Sequence, residues 1–283
     1  MKISGRHYRT GKGVALTLKG GSIAVLGQGR GSAVVAPGLV DLQVNGFRGL
    51  DFNTLPVADD TAGRVTRELW SQGVTTYFAT VITNSPEGGE GCVRALARGC
   101  ERDPDARAAI AGIHLEGPFI SPEDGPRGAH DRTHVRPPDG SLLRRWQDAA
   151  GGLIRLITMS PEWPGSPAFI EQCVAGGVTV SIGHTAATPE QVREAVAAGA
   201  SMSTHLGNGS HLMMARHPNY VLEQMAEDRL AATFIVDGFH LPDSFLKVAL
   251  RAKGKNALLV SDAVYLAGSP PGTYDTHIGG KVV

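Results

Sequence analysis

The sequence has no surplus of either charge: 27 Lys and Arg balance 27 Asp and Glu across 283 residues. A net charge of zero gives no sign of a nucleic acid or an anionic membrane as partner, although a local basic pocket for one small anion is compatible with it. Cysteine is scarce. The three present, Cys92, Cys100 and Cys173, form neither a Cys-x-x-Cys pair nor a Cys/His zinc spacing. Such low, odd usage fits a reducing compartment rather than a disulfide framework. No apolar run approaches the roughly 18 residues that a membrane helix needs. The opening stretch MKISGRHYRTGKG lacks the apolar centre of a secretory signal. The expectation is a cytoplasmic protein with no membrane and no nucleic-acid partner.

What is present is enough apolar residue to fill a core, at 42%, and abundant glycine, with 37 residues. The length suits one large α/β barrel or two ordinary domains. Residues 1–36 are Gly-rich with short β-like pieces such as VALTLKG and SIAVLG, and read as a small β domain, a partial β-sandwich. The segment GQGRGS follows no long strand and opens no helix, so it reads as a turn rather than a phosphate loop.

From residue 37 the pattern changes. Eight short apolar runs, near residues 39–44, 74–81, 110–115, 154–159, 178–182, 200–204, 231–236 and 257–260, alternate with amphipathic stretches. The helical stretches fall at 59–72, 87–101, 141–150, 167–175, 189–198, 220–227 and 242–252. Thr188-Pro189 is a strong helix start, with Thr as N-cap and Pro in the first turn. Strands alternating with helices predict an α/β fold, a (β/α)8 TIM-type barrel over residues 37–268. Residues 269–283 read as the start of strands returning to the small β domain. No eighth helix follows the eighth run, so the flank of strands one and eight is expected to be uncovered.

Polar residues gather where such a barrel puts its chemistry, at the C-terminal ends of the runs: Asp41, Gln43 and Asn45, then His114 and Glu116, His184, His205, Asp237 and His240, and Asp262. In this fold those ends share one rim. His114 and Glu116 are two apart and face the same side of a strand. A buried carboxylate there must be paired, protonated or bound to a cation. Pairing with an Arg or a capping role would also account for Glu116, and a single strand-end His is more often structural than a ligand. Glu116 with two His at consecutive strand ends forms a set that suits a catalytic zinc and leaves a coordination position open. Iron or another divalent ion would accept the same set. Asp262 fits either a helix N-cap or a general base beside such a site.

The segments PGLVDLQVNG, GIHLEGPFIS, SIGHTAAT, STHLGNG, VDGFHL and LVSDA occur in order at successive strand ends. Together they resemble the N-acetylglucosamine-6-phosphate deacetylases of the amidohydrolase superfamily. The resemblance implies metal ligands at Glu116, His184 and His205 and a catalytic Asp at Asp262. It implies substrate contacts from His130, in GAHD, and His240, in DGFHL, and a loop at Asn208 and Gly209 that touches the sugar phosphate. Arg216 falls near the family's phosphate-binding Arg, which can come from a dimer partner, so a homodimer is expected. Gln43 and Asn45 stand where many amidohydrolases have His-x-His. Amides are poor zinc ligands beside imidazole and carboxylate, so one divalent ion per chain is expected. Zn is the first choice, with Fe as an option, and Gln43 and Asn45 would hydrogen-bond water or substrate. His114 matches the motif but not the ligand set and takes a support role.

The activity implied is removal of the acetyl group from N-acetylglucosamine 6-phosphate, giving glucosamine 6-phosphate and acetate. Hydroxide formed at the metal would attack, with Asp262 as general base and then acid. The chain departs from the family at Gly207-Asn208-Gly209-Ser210, where many members read Tyr-Asn-Ala-Met. It also stops short of their last helix and returning strands. Two alternatives follow: an amidohydrolase acting on another N-acyl sugar phosphate or a cyclic amide, and an inactive, truncated barrel serving as a binding protein.

Overall fold

The structure, a computed structural model, describes residues 1–276 and 280–282, the last three through their backbone alone. The chain divides into two compact units, Met1–Leu39 and Val40–Val283. The first unit holds β1 (Lys2–His7), β2 (Gly13–Lys19), β3 (Ser22–Gly27) and β4 (Val34–Val35), in one sheet of order β3-β2-β1-β4. The first three strands pair antiparallel, and β4 lies parallel to β1.

The chain then runs through β5 (Leu39–Val44), the short pair β6 (Gly46–Phe47) and β7 (Leu50–Asp51), α1 (Thr61–Ser71), β8 (Val74–Ile82), α2 (Pro86–Arg102), α3 (Pro104–Ala109) and β9 (Ile110–Glu116). It continues with α4 (Gly140–Ala149), β10 (Ile154–Met159), α5 (Ser166–Ala175), β11 (Thr179–Ile182), α6 (Pro189–Ala197) and β12 (Met202–Ser203). Last come α7 (Tyr220–Ala226), β13 (Ala231–Ile235), α8 (Asp243–Lys253), β14 (Ala257–Val260) and the hairpin β15 (Tyr274–Thr276) and β16 (Gly280–Val282). Of the expected return segment 269–283, residues 277–279 and 283 lie outside the described residues.

Eight strands form one sheet in the order β5-β8-β9-β10-β11-β12-β13-β14. Parallel pairing joins β8 to β9 and then every neighbour through β14. The seam closes beyond the strand ends, where Val44 bridges Ala263 and Asn45 N donates to Ala263 O at 2.7 Å. Below it the buried Asp41 carboxylate accepts from Ser261 N at 3.2 and 3.3 Å and from Gln43 N at 3.1 Å. Burial raises the Asp41 pKa, and these donors offset part of the cost. This is the expected (β/α)8 barrel. Among the described residues no helix follows β14, and the seam strands leave Val40 and Leu259 57% and 53% exposed.

Local chemistry sets the helix starts. Thr188 and Gln191 form a full capping box at α6. Ser85 caps α2 by accepting from Gly88 N at 2.9 Å, with Pro86 in the first turn. The short helix α3 was not among the expected elements. Its signal is Asp103-Pro104, and the Asp103 carboxylate accepts from Asp105 N and Ala106 N. Between α2 and α4 the backbones approach so closely that a Cβ on Gly89 would meet the Trp146 ring at 2.6 Å. The strands beneath are apolar and almost wholly covered: Ile113, Leu115, Ile154, Ile157, Met159 and Val180 are 1% exposed or less. That is the pattern of parallel strands with both faces buried.

Candidate metal centre and cavity

Because the strands are parallel and in register, their C-terminal ends converge. Glu116 ends β9 opposite Ile82 of β8 and Thr158 of β10. His184 lies just past β11, His205 just past β12 and Asp262 just past β14. Four described non-glycine residues have positive φ, and three of them are these: His184 at 48°, His205 at 29° and Asp262 at 50°. For side chains other than glycine this left-handed backbone is uncommon and costs of order 1–3 kcal/mol. The turns that lift these three groups off their strands are held by neighbours. Ser121 N donates to His184 O at 2.8 Å, Ala186 N to Glu162 Oε2 at 2.7 Å, and His205 N to Thr233 Oγ1 at 2.7 Å.

At the centre is one carboxylate oxygen with three neighbours. Glu116 Oε1 lies 3.1 Å from His184 Nε2 and 2.9 Å from His205 Nε2, and accepts from Gln43 Nε2 at 2.8 Å. Burial alone would raise the Glu116 pKa, but the two imidazoles overcome it and hold the group well below the usual range. Burial lowers His205, but the hydrogen bond and charge of Glu116 together with the Asp262 charge outweigh it, so its net shift is upward. His130 Nε2 stands 3.3 Å from His184 Nε2 and 4.0 Å from Glu116 Oε2. Burial, then the His184 charge, pushes His130 down to about 3. Glu116, His130 and His184 could together hold one cation. Two of the three rings have an anchored far side: His184 Nδ1 donates to Pro126 O and His130 Nδ1 bonds Thr83 Oγ1, both at 2.8 Å, whereas His205 Nδ1 is buried without a partner. Such outer bonds fix the tautomer of metal-binding histidines.

This donor set fits a divalent ion. Pro126 O can only accept, so the neutral His184 ring carries its lone pair on Nε2, facing a carboxylate and a second imidazole. Two imidazoles, a carboxylate and a further imidazole at the edge are the ligand types of zinc and its first-row neighbours. The Asn45 Oδ1 atom is buried with no partner, a sign that polar matter belongs in the cavity.

Asp262 faces the cluster from β14. Its Oδ1 accepts from Asn45 Nδ2 at 2.8 Å. Burial, reinforced by the Glu116 charge, pushes the carboxyl up to about 7, while His205 and Asn45 pull it down. A cavity of about 420 Å³ opens here, lined by Asn45, Glu116, His130, His184, His205, Asn208, Gly209, His240 and Asp262 among polar groups. Ile82, Ala129, Ile235 and Val264 supply its apolar wall. His240, half exposed, is tied to Asp237 Oδ2 at 2.7 Å.

Nine of the eleven sequence-derived site residues therefore meet in one cavity. Gln43 and Arg216 do not line it. Gln43 is 1% exposed and sits behind Glu116, so it steadies a carboxylate rather than reaching into the cavity. Arg216 lies in the exposed loop before α7. His114 is also away from the cavity: its Nε2 bonds Thr158 Oγ1 at 2.7 Å, the first link of a hydroxyl chain to Thr204 and Ser181. Sequence reasoning missed Thr83, the anchor of His130, and Glu162, which also accepts from Ser121 and Ser160 and ties three loops together. Both follow strands β8 and β10, so the strand-end rule alone could have found them.

Comparison with known proteins agrees with this geometry. Residues 34–264 match the model of the amidohydrolase family. The N-acetylglucosamine-6-phosphate deacetylase of Lysinibacillus sphaericus is 34% identical over 251 residues, covering 87% of this chain and 62% of that protein. The N-acetylgalactosamine-6-phosphate deacetylase of Shewanella sp. (strain ANA-3) is 35% identical over 259 residues, covering 89% of this chain and 62% of that protein. The chain thus spans less than two thirds of the length of these curated relatives. Among solved structures, an aspartate-to-alanine variant of the Mycobacterium smegmatis N-acetyl-D-glucosamine-6-phosphate deacetylase, in complex with N-acetyl-D-glucosamine-6-phosphate, superposes with a TM-score of 0.86. It is 31% identical, and the match covers 97% of this chain and 73% of that one. The chain belongs to the amidohydrolase family.

Proposed function

We propose that the protein is a metal-dependent hydrolase that removes the acetyl group from N-acetylglucosamine 6-phosphate. The observation that carries this reading is the convergence of Glu116, His184 and His205 with Asp262 in one cavity. Glu116, His184 and His205 would hold one divalent ion, with zinc the first choice for this donor set. Bound there, the ion supplies Lewis-acid activation of water and of the amide carbonyl.

The remaining work belongs to the chain. Asp262, ionised, accepts a proton from the attacking water and returns it to the departing amine, so the amino sugar leaves neutral, and the acetic acid formed gives up its remaining proton to solvent as acetate. Asn45 keeps one Asp262 oxygen fixed at 2.8 Å, which leaves the other free for that transfer. Gln43 holds Glu116 from behind. Ile82, Ala129, Ile235 and Val264 give the acetyl methyl an apolar wall and keep bulk water away. His240, Asn208 and Gly209 face the sugar phosphate. Arg216, outside this cavity, would serve the phosphate of a second protomer, which makes a homodimer part of the reading, as is a cytoplasmic location. Among the described residues no helix is long and apolar enough to cross a membrane.

The relative of Shewanella favours a second reading, N-acetylgalactosamine 6-phosphate, with the loop at residues 207–210 as the discriminating contact. Acetate release from zinc-loaded protein tests both. The glucosamine compound should be turned over, and unphosphorylated N-acetylglucosamine should be poor. Faster turnover of the galactosamine compound would transfer the assignment to it, and no acetate from either sugar phosphate would reject both.

A further inference from the structure

His184 takes a left-handed backbone, with φ at 48°, and its Nε2 lies 3.1 Å from Glu116 Oε1. A residue other than glycine keeps such a conformation only where its surroundings over-determine it. The surroundings here trace back to one side chain, that of Glu162, which follows β10. Three donors converge on its carboxylate. Oε2 accepts from Ala186 N at 2.7 Å and from Ser160 Oγ at 2.6 Å, and Oε1 accepts from Ser121 Oγ at 3.0 Å.

The hydroxyl protons follow from these bonds. Ser160 spends its proton on Glu162, so in the 2.7 Å contact between Ser160 Oγ and Thr185 Oγ1 the threonine donates. Thr185 Oγ1 in turn accepts from Ala187 N at 3.0 Å. Ser121 also gives its proton to Glu162, while its backbone N donates to His184 O at 2.8 Å. One carboxylate therefore fixes the turn from both sides. It reaches the His184 carbonyl through Ser121, and residues 185–187 through Ala186 N and the link from Thr185 to Ser160. His205, left-handed at 29°, is held differently: its N donates to the Thr233 hydroxyl at 2.7 Å, and its Nδ1 is buried without a partner. Glu162 does not line the cavity, so any effect it has on the chemistry passes through His184.

We propose that Glu162 is a positioning residue of the metal centre. By accepting from Ala186, Ser160 and Ser121 it holds the strained turn that aims His184 at the ion. The inference rests on the metal-dependent reading of the site and adds to it an outer residue that governs one ligand.

Chelator competition on the full-length protein, with steady-state kinetics at saturating zinc, tests it. Glu162→Ala should bind zinc about 10–100-fold more weakly, the range for losing an outer partner of a metal ligand. With zinc saturating, its kcat should fall while KM holds, because no cavity contact is lost. The visible bands of the cobalt-loaded variant, which follow ligand geometry, should shift. Glu162→Gln keeps an oxygen for Ala186 and Ser160 and should recover most of the zinc affinity. Unchanged zinc affinity, kcat and cobalt bands in Glu162→Ala, even beside a lower metal-free melting temperature, would reduce Glu162 to a structural role and overturn the proposal. A raised KM alone would overturn it too, as would a Gln variant no better than the Ala one. Should Glu162→Ala not fold, judged by metal-free melting, Thr185→Val decides, since it cuts one link of the same chain and keeps the side-chain shape. It should weaken zinc binding about fivefold, the worth of one ordinary hydrogen bond, and unchanged affinity there would overturn the proposal. These outcomes leave the hydrolase reading intact, whereas failure of the unmodified protein to take up any divalent ion would overturn both.

Discussion

Asp262 is asked to be a base in a place that resists negative charge. Burial and the neighbouring Glu116 push its carboxyl up to about 7, and the Asn45 amide is a fixed donor pulling it down. Two predictions belong to this residue. Asp262→Asn keeps the shape of the side chain but cannot take a proton. It should bind zinc normally while kcat falls about 10²–10⁴-fold, the range for a positioned acid–base group. Steady-state kinetics beside metal analysis would check it, and near-normal kcat with metal bound would remove Asp262 from the proton path. Asn45→Ala acts in the other direction on the same group. The lost donor favours the ionised form, so its removal raises the Asp262 pKa. The acidic limb of kcat/KM, which reports on the free enzyme, should move to higher pH. A limb that stays in place or moves lower would mean that Asn45 does not govern this carboxylate.

At the scale of elements, much was legible because barrels repeat one simple signal. Each of the eight apolar runs became a strand of the barrel sheet, and each of the seven amphipathic stretches became a helix. What escaped lacked periodicity. The helix α3 is six residues long, too short to show an apolar stripe, and only its Asp-Pro cap marks it. In the site, strand-end position announced His184, His205 and Asp262, but their left-handed backbone did not show, since nothing about His or Asp requires it. Thr83 follows the end of β8, a position the strand-end rule covers, but it is not a residue type that marks a metal or acid–base site by itself. Gln43 was legible as a site residue but not in its direction: only the folded sheet reveals that it backs Glu116 instead of lining the cavity. The α2–α4 contact was likewise invisible in sequence, because glycine inside a helix reads as a weakness. Gly89→Ala would gain about 1 kcal/mol of helix propensity. Against that, the new methyl would meet the Trp146 ring at 2.6 Å, and the ring is 2% exposed and tied to Pro86 O at 2.8 Å. Overpacking of this kind costs about 1–3 kcal/mol, so the net effect should be a lower melting temperature. An unchanged or raised one would mean that Trp146 can move aside.

For the whole molecule, the ion should be a structural tie as well as a reagent. The proposed ligands leave β9, β11 and β12, and Glu116 and His205 are 89 residues apart in sequence. The seam between β5 and β14 is held by the bridge of Val44 and Ala263, by Asn45 N and Gly46 N donating to Ala263 O, and by the contacts of Ser261 with Asp41 and Gln43. An ion at the centre would add a further tie between strands that the seam alone does not link. With an ion bound only by the folded chain, stability rises by RT ln(1 + [M]/Kd), about 2.7 kcal/mol at a hundred times Kd. For a domain of this size each kcal/mol moves the melting temperature by roughly 2–4 °C, so chelation should lower it by about 5–10 °C. Glu116→Gln supplies the control, because it keeps the side-chain volume but loses the charged ligand. Its melting temperature should be nearly the same with zinc and with chelator. Equal melting of the unmodified protein in zinc and in chelator would show that the rim does not depend on an ion, and would count against Glu116, His184 and His205 as its ligands.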